Sequence, residues 1–490
     1  MAQKTDKLIG RNEEQDTLAQ IVKSTESEFV VVYGRRRVGK TFLVNNYFED
    51  NFTFKLTGLA KKSKSEQLSN FTAALKRYGE GEKYNKPRTW YEAFDKLRIL
   101  LEKKKVTKPS GTRKKDSCNG KKVIFIDELP WMDSRGSNLI SALEHFWNDW
   151  ACTQNDIVLI VCGSATSWIT KKILKNKGGL HNRVTQKIYL RPFTLGECKE
   201  YIASRGLKMA DKEVAECYMI MGGIPFYLKN LRTGASLSQN VDEMFFADKG
   251  RLADEFEALY ASLFDKSENY IKVVEALSKK NKGLTREEIL QATKLNNNGH
   301  FSKILDDLVN CDFIRRYRGY GNNAKMSIYQ LTDPFTLFYY KYIKKNAPNN
   351  KAFWQYQIGT RQHDTWAGLA FEQLCLNHHI QIEKALGISG TATKVYSWNT
   401  PADATEKAQI DLVIKRADKV VNICEMKFYN GIYTMKKKDS DDIERRARIF
   451  REQEKIKMAV HPVLVTTYGV TDNQYSHVFQ NIITLEELFK

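Results

Sequence analysis

Glu28 to Thr41 reads EFVVVYGRRRVGKT. Phe29 to Tyr33 is a short apolar run, the pattern of a buried strand. It runs into Gly34-Arg35-Arg36-Arg37-Val38-Gly39-Lys40-Thr41, which fits G-x-x-x-x-G-K-[ST], and Phe42, Leu43 and Val44 open a helix. Strand, glycine loop and helix start in that order form a phosphate cradle. The glycines let backbone N–H groups turn inward on an anion, and the unpaired amides of the helix start favour negative charge. Lys40 is expected to reach the β- and γ-phosphates and Thr41 to hold Mg²⁺.

A second signal completes the first. Val123-Ile-Phe-Ile ends in Asp127-Glu128. A strand end with two acids, following a phosphate loop, is what nucleotide hydrolysis needs. Asp127 holds Mg²⁺ through water and Glu128 orients or deprotonates the attacking water. Ile157 to Cys162 is a fully apolar strand whose tip, Gly163-Ser164, carries either a γ-phosphate sensor or a plain turn serine. Arg183 is a candidate phosphate-sensing arginine, with a surface salt bridge as its other reading. Apolar strands alternate with helices at Asn12–Lys23, 65–78, 90–102 and 138–150, which implies a mainly parallel sheet covered on both faces.

The chain has 490 residues, enough for about three domains, and a net charge of +20. That balance fits a polyanionic partner. Eight cysteines lie scattered without a C-x-x-C pair, as in a reduced intracellular protein. The N-terminal MAQKTDKLIGR has no apolar leader, and no run approaches the roughly 18 apolar residues of a membrane span. A cytoplasmic protein with no membrane association is expected. His378 and His379 are adjacent, so on a helix they point apart and do not share a metal. Residues 103–122 carry nine Lys and Arg among Pro, Gly and Ser, a solvated surface loop or a nucleic-acid contact.

Five segments in order resemble the archaeal-type ATPases of the broad AAA+/STAND P-loop group: Ile9-Gly10-Arg11, Tyr33 to Thr41, Phe125 to Pro130, Leu190 to Glu197 (LRPFTLGE) and Met221 to Tyr227 (MGGIPFY). The resemblance implies ATP as the nucleotide, Gly10-Arg11 near the adenine, and a helical lid around Gly222-Gly223-Ile224-Pro225. Composition alone makes Gly222-Gly223 a helix stop and Pro225 a helix start.

Beyond the lid, Ile271–Leu277 has a helical pattern and Thr285-Arg-Glu-Glu288 is a capping box. A third helix carries Phe301, Ile304, Leu305, Leu308 and Val309. Residues 313–317 and 327–331 alternate as a hairpin. This is the pattern of a winged helix-turn-helix. Asn297, Asn298, His300 and Lys303 would then face a groove, and Arg315, Arg316, Arg318 and Lys325 would touch phosphates; the other reading is a winged helix that only packs domains together.

In the last third, residues 365–380 read as a helix on which Glu372 shares a face with Leu369 and Leu376, an awkward place for an unpaired carboxylate. Residues 409–414 and 421–428 are strands, and Glu425 and Lys427 project from one face. A hairpin brings Asp411 beside them. Three carboxylates and a lysine suit Mg²⁺-assisted phosphodiester hydrolysis. This segment resembles the PD-(D/E)xK nuclease-like domains. The resemblance makes Glu372 the helix acid, Asp411 the motif aspartate and Glu425-Met426-Lys427 the E-x-K element, with Glu372, Asp411 and Glu425 as metal ligands. Ile410 departs from it, standing where many such nucleases have Pro or Gly. Arg445, Arg446, Arg448, Arg451 and Gln453 lie on a charged helix that either follows a nucleic-acid backbone or is solvated.

The expected architecture is α/β: a P-loop NTPase core at 1–192, a helical lid at 193–265, a winged helix at 266–345 and a restriction-endonuclease-like domain at 346–490. The expected function is ATP hydrolysis coupled to nucleic acid, DNA more than RNA. The alternative is a signalling switch whose later domains are scaffolds. A homo-oligomer or a protein partner fits either.

Overall fold

A computed structural model describes residues 7–79, 83–104, 118–264, 266–318, 327–346, 352–400 and 404–490. The hairpin tip with Lys325 and most of the basic 103–122 stretch lie outside these residues. The chain divides into two compact units, Met1–Arg191 and Pro192–Lys490.

The first unit is built on five parallel strands: β1 (Glu28–Tyr33), β2 (Phe54–Thr57), β3 (Lys122–Asp127), β4 (Ile157–Gly163) and β5 (Gln186–Tyr189). Their order is β2-β3-β4-β1-β5. β4 is buried along its whole length, which accounts for its unbroken apolar sequence, since helices cover both faces of a parallel sheet. Helices Lys64–Tyr78, Trp90–Lys103 and Leu139–Asp149 pack Phe71, Trp90, Phe94, Leu97 and Phe146 onto Phe29, Phe54 and Ile126. Burying each such side chain contributes about 1.5–3 kcal/mol.

Topology positions the chemistry. β4 lies between β1 and β3, so the turn after β4 stands between the glycine loop and the acids of β3. Open parallel sheets bind ligands at this carboxyl edge. Lys121 is a correction to the loop reading. It is 8% exposed, and its ammonium donates to the carbonyls of Glu26 (2.8 Å) and Asn155 (2.6 Å). It ties β3's entry to the sheet and is withdrawn from any nucleic acid.

The second unit begins with helices. Gly222 ends helix Asp211–Met221 in the left-handed conformation and Pro225 opens the next turn. Gly223 has φ 63°, and a Cβ there would lie 2.3 Å from the Phe193 carbonyl oxygen, so the position admits only glycine. Helices Ser267–Ser278, Arg286–Thr293 and Gly299–Asn310 follow, with a three-stranded antiparallel sheet of β6 (Leu284–Thr285), β7 (Ile314–Arg318) and β8 (Ser327–Leu331). The capping box forms: Thr285 Oγ1 accepts from Glu288 N–H at 3.2 Å and Thr285 N–H donates to Glu288 at 2.7 Å.

A mixed sheet closes the chain: β9 (Thr393–Asn399), β10 (Gln409–Arg416), β11 (Val420–Lys427), β12 (Ala459–Thr466) and β13 (Asn481–Thr484). β9, β10 and β11 are antiparallel, and β11, β12 and β13 parallel. Trp398, Val413, Ile423 and Phe450 form its core under helix Lys437–Gln453.

The helix expected over 365–380 runs instead from Arg361 to Asn377, and a second begins at His379. His378 explains the break. It is 2% exposed; its Nε2 accepts the Leu195 N–H (3.0 Å), so Nδ1 carries the proton and donates to Leu374 O (2.9 Å). Both nitrogens of the neutral ring are satisfied, and a second proton would set an N–H against an N–H. Burial pushes the His378 pKa down to about 4. The unfolded chain therefore takes up this proton first, and its contribution is complete above the unfolded pKa. As pH falls from about 6.5 to about 4, up to about 3 kcal/mol of stability is lost. Urea midpoints measured across that window should fall, and H378Q should flatten the slope by up to one proton; an identical slope would remove His378 from the account.

Candidate functional site

The glycine loop is shaped by its neighbours. Gly34 has φ 145°, and a Cβ there would meet the Leu190 carbonyl oxygen at 2.2 Å. Gly39 (φ 96°) opens helix Lys40–Tyr47. Lys40, 6% exposed, folds over the loop and donates to the carbonyls of Gly34 (3.0 Å) and Arg35 (2.8 Å). Thr41 Oγ1 donates to Asp127 Oδ2 at 2.9 Å. The hydroxyl and the strand-end carboxylate expected to share Mg²⁺ are thus adjacent, and their hard oxygen donors suit that ion.

Glu128 takes the left-handed conformation (φ 48°) as the chain leaves β3. Its carboxylate accepts from Ser164 N–H (3.2 Å) and from the Ser164 hydroxyl (3.1 and 3.2 Å). Burial raises the Glu128 pKa, Lys40 opposes that shift and Asp127 adds to it. The sequence marked Ser164 as a sensor or a turn; the structure makes it the partner that aims Glu128.

The remaining loop residues divide. Arg35 and Val38 are buried. Arg36 lies over the Trp131 ring at 6.0 Å. Arg37 adopts φ 73°, and Phe42 is exposed. Arg11 is buried and donates to Val38 O at 3.2 Å, while Gly10 O accepts from Gln15 at 2.7 Å, Arg183 is exposed in a turn, and no hydrogen bond or ion pair among the described residues draws it to Lys40 or Asp127.

The second unit brings the later candidates together. The register Leu412↔Cys424, carried one residue on, sets Asp411 opposite Glu425. Lys427 Nζ lies 2.7 Å from Glu425 Oε1 and Arg446 Nη1 2.8 Å from Glu425 Oε2. Glu372 comes in on helix Arg361–Asn377, where Phe371 packs on Phe428. Burial pushes the Glu372 pKa up to about 8, with Asp411 and Glu425 adding to the shift. Asp411 is also raised, chiefly by burial. These carboxylates are close enough to feel one another and offer the oxygens a divalent cation takes. Yet no group of three or more His, Cys, Asp or Glu among the described residues is arranged to hold a metal ion. The physical reason is that Glu425 is engaged by its two cations, which must exchange for a metal.

The charged helix corrects the backbone-tracking reading. Arg446 bridges Glu425 and Asp442, Arg445 reaches Lys407 O (2.9 Å) and Asp442 (2.6 Å), and Arg448 reaches Glu406 (3.0 Å). Two groove candidates are structural as well: Asn298 caps its helix, accepting Phe301 N–H at 3.0 Å, and Asn297 accepts from Arg286 at 2.8 Å. His300 is exposed, Lys303 lies 4.0 Å from Asp307 and Arg316 lies 3.9 Å from Asp306.

Residues 8–231 match the model of an ATPase domain predominantly from Archaea. The fold and loop of the first unit are those of a P-loop ATPase, and this stretch is an archaeal-type ATPase domain. The chain is 23% identical over 393 residues to an uncharacterized protein of Methanocaldococcus jannaschii, covering 80% of this chain and 81% of that one. Among solved structures it is similar to a Walker-type ATPase of Pyrococcus abyssi (17% identity, 68% of this chain, 96% of that chain, TM-score 0.48). It is also similar to the ORC2 protein of Aeropyrum pernix in its ADPNP–ADP complexes (12%, 72% and 96%, TM-score 0.40). No helix among the described residues is long and apolar enough to cross a membrane.

Proposed function

We propose that the chain binds and hydrolyses ATP with Mg²⁺ and couples its nucleotide state to nucleic acid, DNA above RNA, handled by residues 266–490. The observation that carries the reading is the 2.9 Å bond from Thr41 to Asp127 beside a buried Lys40. Lys40 trades its two loop carbonyls for the β- and γ-phosphates, Thr41 and Asp127 hold the metal, and Glu128, aimed by Ser164, positions water. Mg²⁺ supplies charge neutralisation between the phosphates.

In the same reading, 193–265 is a helical lid, 266–345 a winged helix and 346–490 a PD-(D/E)xK nuclease-like domain. Glu372, Asp411 and Glu425 serve as acids there, and Lys427 as the cation at the phosphodiester. ATP turnover measured with and without duplex DNA tests the coupling, with stimulation expected. A signalling switch with scaffold domains is the second reading, favoured by the engagement of Asn297, Asn298 and Arg446 within the protein. Absence of DNA affinity at low salt would select it.

A further inference from the structure

The acid cluster is not the property of the last sheet alone. Strand β7 packs against β9, bringing one edge of the three-stranded sheet to the acids. The pairings Ile410↔Trp398 and Val413↔Tyr396 leave Asp411 and Leu412 opposite the single residue Ser397. Bulges of this kind re-aim side chains beside functional sites.

Tyr317 on β7 reaches that bulge. Its hydroxyl hydrogen-bonds the Ser397 side chain and donates to Lys282 O at 2.7 Å. Arg315, two residues earlier and on the same face, lies with its guanidinium 5.4 Å from the Tyr317 ring centroid. Its Nη2 donates to Gln330, whose amide donates to Asn281 O at 2.6 Å. Arg315 is thus held in place by a chain of bonds. Its Nε is buried and has no hydrogen-bond partner. Burial lowers the Arg315 pKa, and the charges of Tyr317 and Asp411 oppose that shift. Lys282, exposed at the mouth, also acts on Asp411.

A buried donor without an acceptor is costly and calls for an explanation. A fixed guanidinium with an unused N–H beside carboxylates is suited to an anionic oxygen that arrives with the ligand. We propose that Arg315, with Lys282, is a phosphate-binding element which the β7–β8 hairpin contributes to the acid cluster, so that a nucleic-acid phosphodiester is held between hairpin and sheet. The proposal rests on the nucleic-acid reading above and deepens it: the two sheets make one composite site.

The test is binding of a labelled DNA duplex to the full chain, with Ca²⁺ present to hold it uncleaved, as a function of salt. For wild type, log affinity should fall linearly with log salt. R315M should bind about tenfold more weakly with a slope shallower by about one, and R315K should restore the slope. K282M, at an exposed position, should shift the slope in the same direction and serves if R315M does not fold. A wild type with no DNA affinity overturns the nucleic-acid reading itself. Wild-type binding with an unchanged slope in R315M, or in K282M where R315M does not fold, overturns the composite site alone.

Discussion

Lys40→Ala should cut ATP turnover by at least about 100-fold, the scale of removing one preorganised donor from a developing charge. Two effects add. The cation that meets the phosphates is gone, and the carbonyls of Gly34 and Arg35, which Lys40 now satisfies at 3.0 and 2.8 Å, lose their donor. Nucleotide affinity should therefore fall with turnover. Glu128→Gln separates the two. The amide keeps the shape and can still bond Ser164, so ATP binding should persist while hydrolysis stops. Steady-state phosphate release and nucleotide titration on both variants make the comparison. Unchanged turnover in Lys40→Ala would remove the glycine loop from the chemistry.

Asp411→Ala should abolish divalent-cation-dependent cleavage of DNA, again by at least about 100-fold, while ATP turnover stays at the wild-type rate. Asp411 stands at the bulge opposite Glu425 and beside Glu372 and Arg446, so its loss leaves the cations of the cluster in excess. Lys427→Ala should give the same loss of cleavage by a different route, since it frees Glu425 Oε1. Cleavage assays with Mg²⁺ and with Mn²⁺ read both variants. If wild type cuts and Asp411→Ala cuts equally well, the acids are structural and the cluster is not a catalytic site.

What the sequence made legible follows the range of the interactions. β1, the loop and its helix are local, so Phe29 to Val44 read correctly from pattern and glycine spacing alone. So did the strand before Asp127 and the Thr285–Glu288 cap, where partners are three residues apart. Asp411 beside Glu425 was within reach because strand alternation and a hairpin register are short-range arithmetic. The bond between Ser164 and Glu128 was not, because it depends on strand order β3-β4-β1, and order is a tertiary choice. Arg315 was misplaced for the same reason. On a hairpin it reads as a surface cation, and only the packing of β7 on β9 turns it toward Asp411. Charge runs misled most. Lys121 and Arg446 look like nucleic-acid contacts in sequence, yet one is buried against carbonyls and the other paired with carboxylates.

The account stands on a nucleotide docking at the loop of Gly34 to Thr41. Thermal unfolding of the wild-type chain with ATP and Mg²⁺ measures this most directly. At a free concentration 100-fold above Kd, binding stabilises the folded protein by about 2.7 kcal/mol. The melting temperature should therefore rise for wild type and Glu128→Gln but not for Lys40→Ala; a wild-type melt that is the same with and without ATP and Mg²⁺ would contradict the account.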